Sequence, residues 1–141
     1  EGKCNFEIGK GITLREGTDV TLVATGLMVT PTLEAAEALA EKGISAEVID
    51  IHTIKPIDEE ILIKASKETG AIVTAEEHSI YGGLGSAVCD VVCEKCPVPV
   101  LRLGVNDTYG KSGKAAELIP VFGLAAENIV EKVKQVLALK K

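Results

Sequence analysis

The chain has 141 residues, 46% of them hydrophobic and 26% charged, which is typical of one soluble globular domain and not of a disordered chain. Its net charge is −6 and its 15 lysines and arginines are scattered, so no nucleic-acid partner is expected. No apolar run approaches the ~20 residues that a bilayer span requires and no signal peptide is recognised, so no membrane partner is expected. Four cysteines without a secretory leader indicate a reducing, cytoplasmic setting.

The first half of the chain alternates between strand and helix patterns. The apolar run 20–26 predicts a strand that ends at a glycine. The helix that follows is predicted to have Thr30 as its N-cap, Pro31 at its first position and Gly43 as its stop. The run 46–51 then predicts a second strand.

The same alternation continues through the second half. Asp58 is predicted to cap a helix that ends at Gly70. The runs 71–76 and 98–104 predict the third and fourth strands, and a helix opens between them near Gly83. A last helix closes on Lys140 and Lys141, and its apolar face carries Ile129, Val130, Val133, Val136 and Leu137.

These elements predict one α/β domain that spans 1–141 without a linker or repeat. Four near-continuous apolar strands separated by helices are typical of a parallel sheet covered on both faces. A further strand is predicted at 11–16, and too few residues separate it from Val20 for a helical crossover, so it must run antiparallel. Its local sequence alone would pair it with 20–26 in a hairpin. The first residue, Glu1, is not Met, which suggests a piece of a longer protein.

The candidate functional residues follow the ends of predicted strands, at the edge where open parallel sheets bind ligands. In the functional interpretation, helix-end N–H groups there hold an anion or the edge forms an interface. In the structural interpretation, the glycines form a tight turn and a glutamate accepts hydrogen bonds from nearby backbone. The glycine pattern is not a dinucleotide fingerprint, and the loop 110–114 lacks the frame of a P-loop. The candidates are His52, Glu76, Glu77, His78, Gly82, Gly83 and Gly85.

Three cysteines, Cys89, Cys93 and Cys96, fall on one face of the helix that begins near Gly83. Three ligands from one helix suit zinc poorly, although Cys4 could complete a set of four. Packing in the core as small hydrophobic side chains is the better interpretation. No paired histidine or aspartate favours a nucleophilic cysteine, and the role of the three stays open.

Four stretches, in order and properly spaced, resemble the third domain of transketolases. "TAEEHSIYGGLGSAV" (74–88) resembles the family pattern V-E-[DE]-H…G-G-[IL]-G-x-A-V, and "IDIHTIKPID" (49–58) resembles D-x-x-T-I-K-P-[LI]-D. "SGKAAELIPVFGL" (112–124) is similar to a pattern near the family's carboxyl end, and "FEIGKGITLREGTDVTLVATG" (6–26) is similar to the start of that domain. Each stretch alone is weak evidence, but together they cover most of the chain.

The resemblance implies a three-layer α/β/α domain with a five-stranded mixed sheet of order 1-3-2-4-5. The first strand is antiparallel in that fold, which agrees with the orientation expected for 11–16. The family order places this strand beside 46–51, however, and not in a hairpin with 20–26. We follow the family order as our prediction.

The resemblance also implies a function for the whole enzyme, in which thiamine diphosphate with Mg²⁺ or Ca²⁺ carries a two-carbon ketol unit between sugar phosphates. The family binds this cofactor between its first two domains through a G-D-G motif, which this chain lacks. The resemblance therefore transfers no catalytic, cofactor-binding or metal-binding residue onto this sequence. The implied partners are the amino-terminal and middle domains, or a subunit that carries them, in a homodimeric enzyme.

Three alternatives stay open at this point. Deoxyxylulose-phosphate synthase and the thiamine-dependent components of 2-oxo acid dehydrogenases carry the same domain. A small-anion-binding regulatory module that uses the edge near His52 and Glu76 is a candidate from a different class.

Overall fold

A computed structural model of the chain describes residues 10–52, 57–79, 83–105 and 126–140. Several predictions fall outside these ranges, and they concern Cys4, Gly82, the loop 110–114, the stretch 112–124 and Lys141.

Within the described residues, strands and helices alternate as predicted. The strands β1 to β5 span Ile12–Arg15, Val20–Ala24, Ala46–Asp50, Ile72–Ser79 and Val100–Val105. The α-helices α1 to α4 span Val29–Glu41, Glu59–Thr69, Leu84–Lys95 and Ala126–Leu139, and a 3₁₀ turn at Gly26–Met28 precedes α1. None of these helices has the length and apolar character to cross a membrane.

The five strands form one mixed sheet in the order β1-β3-β2-β4-β5. Strand β1 runs antiparallel to β3, with Ile12 opposite Asp50, and the other neighbours are parallel. The order predicted from the family resemblance is therefore confirmed. The hairpin that local sequence favours is wrong, because β3 lies between β1 and β2.

Gly17 explains how the short connection from β1 reaches β2 across the amino end of β3. A Cβ atom at Gly17 would lie 2.2 Å from the carbonyl carbon of Ala46, so only glycine lets the backbone pass this close. The crossing is fixed by hydrogen bonds on both sides of it. The Asp19 N–H donates to the Ser45 carbonyl at 2.8 Å, and the Ser45 N–H donates to the Asp19 carboxylate at 2.7 Å.

The predicted helix boundaries are confirmed for α2 and partly wrong for α1. The Asp58 carboxylate accepts a hydrogen bond from the Ile61 N–H at 3.2 Å, and Gly70 ends α2 with a φ of 75°. Helix α1 begins one residue before Thr30, because the 3₁₀ turn feeds directly into it, so Thr30 is not the N-cap. Pro31 still lies in the first turn, where its missing N–H costs no helical hydrogen bond.

The core lies in two layers, one on each face of the sheet. Helices α1 and α4 cover the face that includes Leu22 and Val48, and helices α2 and α3 cover the face that includes Val23 and Ile49. Neighbouring residues of β2 and β3 point to opposite faces, and all of them except Asp50 are buried, so the two strands read as largely apolar runs. The predicted apolar face of α4 is confirmed, since its residues pack in the first layer: Ile129, Val130, Val133, Val136 and Leu137.

One buried carboxylate, Glu47, interrupts the apolar character of β3. Its side chain is 2% exposed and accepts a hydrogen bond from the Thr21 hydroxyl at 2.9 Å, and that hydroxyl is 2.8 Å from the hydroxyl of Thr69. Burial raises the pKa of Glu47 above its ordinary value, and the Thr21 hydrogen bond opposes this rise. The carboxylates of Glu68 and Glu16 raise the pKa further.

Candidate functional site

The centre of the candidate site is Glu76, the fifth residue of β4 and the first after its regular pairing with β5 ends. Its side chain is fully buried, although a carboxylate is rarely found in this position without a partner. One carboxylate oxygen, Oε1, accepts a hydrogen bond from the Leu84 N–H at 2.8 Å. The other, Oε2, accepts one from the Gly85 N–H, also at 2.8 Å. Both donors belong to the first turn of α3, whose N-cap is Gly83.

This arrangement occupies the amino end of α3 with an anion that the chain itself supplies. The first N–H groups of a helix have no acceptor within the helix, and the helix dipole favours negative charge beside them. Gly83 cannot cap these groups with a side chain, so Glu76 does so from the neighbouring strand. The prediction that Glu76 or Glu77 accepts hydrogen bonds from nearby backbone is therefore confirmed for Glu76. An external anion would have to displace a buried carboxylate to use the N–H groups of Leu84 and Gly85.

Gly85 has a second role, which is to bring α3 close to the sheet. A Cβ atom at this position would lie 2.7 Å from Cδ of Arg102 on β5 and 3.0 Å from the Thr74 hydroxyl on β4. The stem of Arg102 thus occupies the space that a larger residue at 85 would need. The buried Thr74 hydroxyl has no hydrogen-bond partner among the described residues. Close helix–sheet packing at this glycine was predicted and is confirmed.

An irregularity in β4 accompanies the site. Ala75 lies opposite Leu103 of β5, and the next recorded pair joins Ser79 to Val105, so four residues advance along β4 for two along β5. Such irregularities redirect side chains and are common next to functional sites. Glu76 is the first residue after the regular pairing ends.

The remaining candidates around β4 are less informative. Glu77 and His78 were expected to follow the third strand, but β4 extends to Ser79 and includes both of them. Gly82 lies outside the described residues.

His52 lies on the same edge of the sheet but does not join Glu76. It follows β3 and is exposed, whereas Glu76 is on β4, and β2 runs between these strands. The two strands are two strand spacings, or about 10 Å, apart.

Asp50, which the sequence reasoning missed, lies near His52. Burial raises the pKa of the Asp50 carboxyl, and the charge of His52 opposes that rise. The sequence did offer a signal for Asp50, since it is the last residue of β3 and His52 follows two residues later.

Among the described residues, the candidate site has neither a cluster of metal ligands nor a free helix amino end for the diphosphate of thiamine diphosphate. Among these residues, no group of three or more histidine, cysteine, aspartate or glutamate side chains is placed to hold a metal. The anion-binding end of α3 is filled by Glu76, and the G-D-G motif is missing from the sequence. No catalytic step through this cofactor can be assigned to the described residues.

The cysteines of α3 are not core residues. Cys93 is exposed, and Cys89 and Cys96 are half-buried. The helix buries another face instead, formed by Leu84, Val88, Val91 and Val92. The prediction of core packing is therefore wrong for Cys93 and overstated for the other two.

The fold and the site define a class of protein, which is a three-layer α/β/α domain. In this domain the amino end of α3 is capped by a buried glutamate from the neighbouring strand. Comparison with known families is more specific. The family model described as "Transketolase, C-terminal domain" matches residues 9–129, and the chain belongs to this family.

Curated relatives agree with this membership. A 6-deoxy-6-sulfo-D-fructose transketolase subunit from Clostridium sp. (strain MSTE9) is 50% identical over 96% of the chain and 42% of its own length. A putative transketolase C-terminal section from Methanocaldococcus jannaschii is 49% identical with the same coverages. A 1-deoxy-D-xylulose-5-phosphate synthase from Geobacter sulfurreducens is 42% identical over 94% of the chain and 21% of its length. The chain thus spans less than half the length of these relatives.

Solved structures confirm the fold. A split-gene transketolase, described as an inactive β4 tetramer, superposes with a TM-score of 0.93 at 48% identity, over 98% of this chain and 45% of that one. A transketolase mutant from Pichia stipitis gives a TM-score of 0.67 at 26% identity, over 92% of this chain and 18% of that one.

Proposed function

We propose that this chain is the assembly domain of a transketolase and has no turnover by itself. The observation that supports the proposal concerns Glu76, because both of its carboxylate oxygens accept hydrogen bonds from the first turn of α3. Glu76 therefore joins β4 to α3 and holds the fold together at this position. The family depends on thiamine diphosphate, and among the described residues no group of three or more histidine, cysteine, aspartate or glutamate side chains is placed to hold the metal ion that accompanies it. An inactive tetramer among the similar structures supports the same view.

The whole enzyme would transfer two-carbon ketol units between a ketose phosphate and an aldose phosphate, as in the pentose phosphate pathway. It would bind thiamine diphosphate and Mg²⁺ (or Ca²⁺) in segments other than this chain, and would act in the cytoplasm as a homodimer. Relatives named for different sugars match nearly the whole chain at 42–50% identity. This similarity favours the interpretation that residues outside this chain determine which sugar phosphates the enzyme accepts.

Reconstitution tests this proposal. The segments that complete the parent enzyme are purified without this chain and assayed for ketol transfer with thiamine diphosphate and Mg²⁺, with and without the chain added. We expect activity only in the mixture, together with an assembly that contains two copies of this chain and two of the completing segments by light scattering. Equal activity with and without the chain would contradict an assembly role.

A second candidate is the equivalent domain of 1-deoxy-D-xylulose-5-phosphate synthase. Several relatives with that name are 40–42% identical over at least 90% of the chain, which favours this alternative over a remote enzyme class. The same reconstituted enzyme distinguishes the two, because only this alternative yields 1-deoxy-D-xylulose-5-phosphate as the product.

A regulatory module that binds small anions is disfavoured by the site geometry. The best donors for an anion, the N–H groups of Leu84 and Gly85, are already bonded to Glu76. Calorimetric titration with inorganic phosphate and with nucleotides should give no heat of binding at millimolar ligand. Saturable binding would favour the module.

A further inference from the structure

Two thiols lie three residues apart at the carboxyl end of α3, in the sequence Cys93-Glu-Lys-Cys96. Cys93 is exposed in the last turn of the helix, and Cys96 is the half-buried residue that follows it. A C-x-x-C pair within a β-α-β unit is a pattern with redox chemistry, and α3 connects the parallel strands β4 and β5. Neither thiol has a role in the assembly function proposed above.

The backbone places the two residues at a distance that suits a disulfide. The Cys96 N–H donates to the Val92 carbonyl at 3.0 Å, so the helical turn continues up to residue 96. Residues three apart in a helical turn have Cα atoms about 5 Å apart, from the rise and rotation per residue. Disulfides join Cα atoms roughly 4.4–6.8 Å apart.

The backbone at Cys96 departs from the regular helix geometry that would hold the two Cβ atoms apart. Within a regular helix, Cβ atoms three or four positions apart are about 5–6 Å from each other, which exceeds the separation of roughly 3.5–4.5 Å found in disulfides. Cys96 has left the helical conformation, with a φ of −159° and a ψ of 80°. The Cβ atom of Cys96 therefore does not have the direction that a helical residue would give it, and the separation of about 5–6 Å between regular helix neighbours does not apply to this pair.

Cys89 provides the internal comparison. It lies four residues before Cys93 in the regular part of α3, so both Cβ atoms have helical directions. Burial raises the pKa of the Cys89 thiol, and the Arg102 charge opposes that rise. Because the thiolate is the nucleophile in exchange reactions, Cys89 should react least of the three.

We propose that Cys93 and Cys96 are a modification site that forms a reversible disulfide by exchange with low-molecular-weight disulfides. The Cys93 thiolate attacks one sulfur of the small disulfide, which releases one thiol and leaves a mixed disulfide on Cys93. The Cys96 thiolate then attacks the Cys93 sulfur and releases the second thiol. The protein loses two electrons and two protons, and the small disulfide is reduced to two thiols.

Peptide mapping of the whole native protein tests the proposal. The protein is equilibrated with oxidised glutathione, its free thiols are blocked, and it is digested with trypsin. Cleavage after Lys95 separates Cys93, on the peptide 68–95, from Cys96, on the peptide 96–102. A disulfide keeps these two peptides linked, and reduction separates them.

Three variants assign the link. We expect it in the unmodified protein and in Cys89→Ser, and expect its loss in Cys93→Ser and Cys96→Ser. Cys96→Ser should instead accumulate the glutathione mixed disulfide on Cys93. Loss of the link in Cys89→Ser would overturn the assignment, as would a link that forms only in urea-unfolded protein or in none of the samples. None of these readouts depends on ketol transfer, so the test is separate from that of the assembly role.

Discussion

Replacement of Glu76 by glutamine tests whether this carboxylate fastens α3 to the sheet. The substitution keeps the size of the side chain, but it leaves one oxygen for two N–H donors, 2.8 Å away from each in the native protein. One charge-assisted hydrogen bond, about 1.5–3 kcal/mol, becomes a neutral one, and the other buried N–H then faces an amide NH₂. We expect a loss of about 3 kcal/mol in the free energy of unfolding. For a chain of 141 residues this lowers Tm by about 10 °C.

The assay is urea unfolding followed by circular dichroism, with Glu94→Gln as the matched control. Glu94 is on the same helix and is exposed, so its substitution should change the free energy by less than about 0.5 kcal/mol. If Glu76→Gln were no more destabilising than this control, the role assigned to the carboxylate would be refuted.

A companion variant, Glu76→Ala, removes the anion but leaves its donors in place. Formate at high concentration should then recover part of the lost Tm, because it can occupy the N–H groups of Leu84 and Gly85. The unmodified protein should gain no more from formate than from chloride at equal ionic strength. Equal gains by both proteins would mean that formate does not act at this position.

Two further predictions concern the sheet. Gly17→Ala should lower the free energy of unfolding by about 3 kcal/mol, because the new Cβ would lie 2.2 Å from the carbonyl carbon of Ala46. The control is Gly43→Ala, which has open space around it and a φ of +83°, and it should lower the free energy of unfolding by only about 1 kcal/mol. Equal losses for the two variants in urea unfolding would contradict the close passage of Gly17 over β3. Glu47 has a raised pKa in the folded state, so its contribution to stability is fully present below its ordinary pKa of 4.5 and is lost as pH rises through the raised value. The unmodified protein should therefore lose stability relative to Glu47→Gln from about pH 4.5 upwards, and a constant difference between the two across pH 4–8 would refute this.

The sequence predicted the sheet in part for local reasons and in part only by resemblance. Alternating apolar runs and helix signals located the strands, because burial on both faces leaves a continuous hydrophobic pattern. Local sequence could not predict which strand pairs with β1. This pairing depends on the passage of Gly17 over the start of β3, a contact between segments 29 residues apart that no pattern within either segment encodes.

The candidate site was predictable to a similar extent. The sequence predicted that Glu76 or Glu77 accepts hydrogen bonds from nearby backbone, but it did not say which of the two or name the donors, because both depend on how α3 packs against β4. The separation of His52 from Glu76 depends on the strand order and could not be found by local reasoning. The exposure of Cys93 was also missed, since helical spacing places three cysteines on one face but does not say which face is buried.

We propose that the domain is a scaffold for a thiamine enzyme whose reactive centre lies in other segments. The most direct test is calorimetric titration of the purified 141-residue chain with thiamine diphosphate in the presence of Mg²⁺, followed by a ketol-transfer assay of the same sample. We expect no binding and no turnover until the other segments of the enzyme are added. Saturable binding of the coenzyme by the chain alone, with conversion of sugar phosphates, would contradict this proposal.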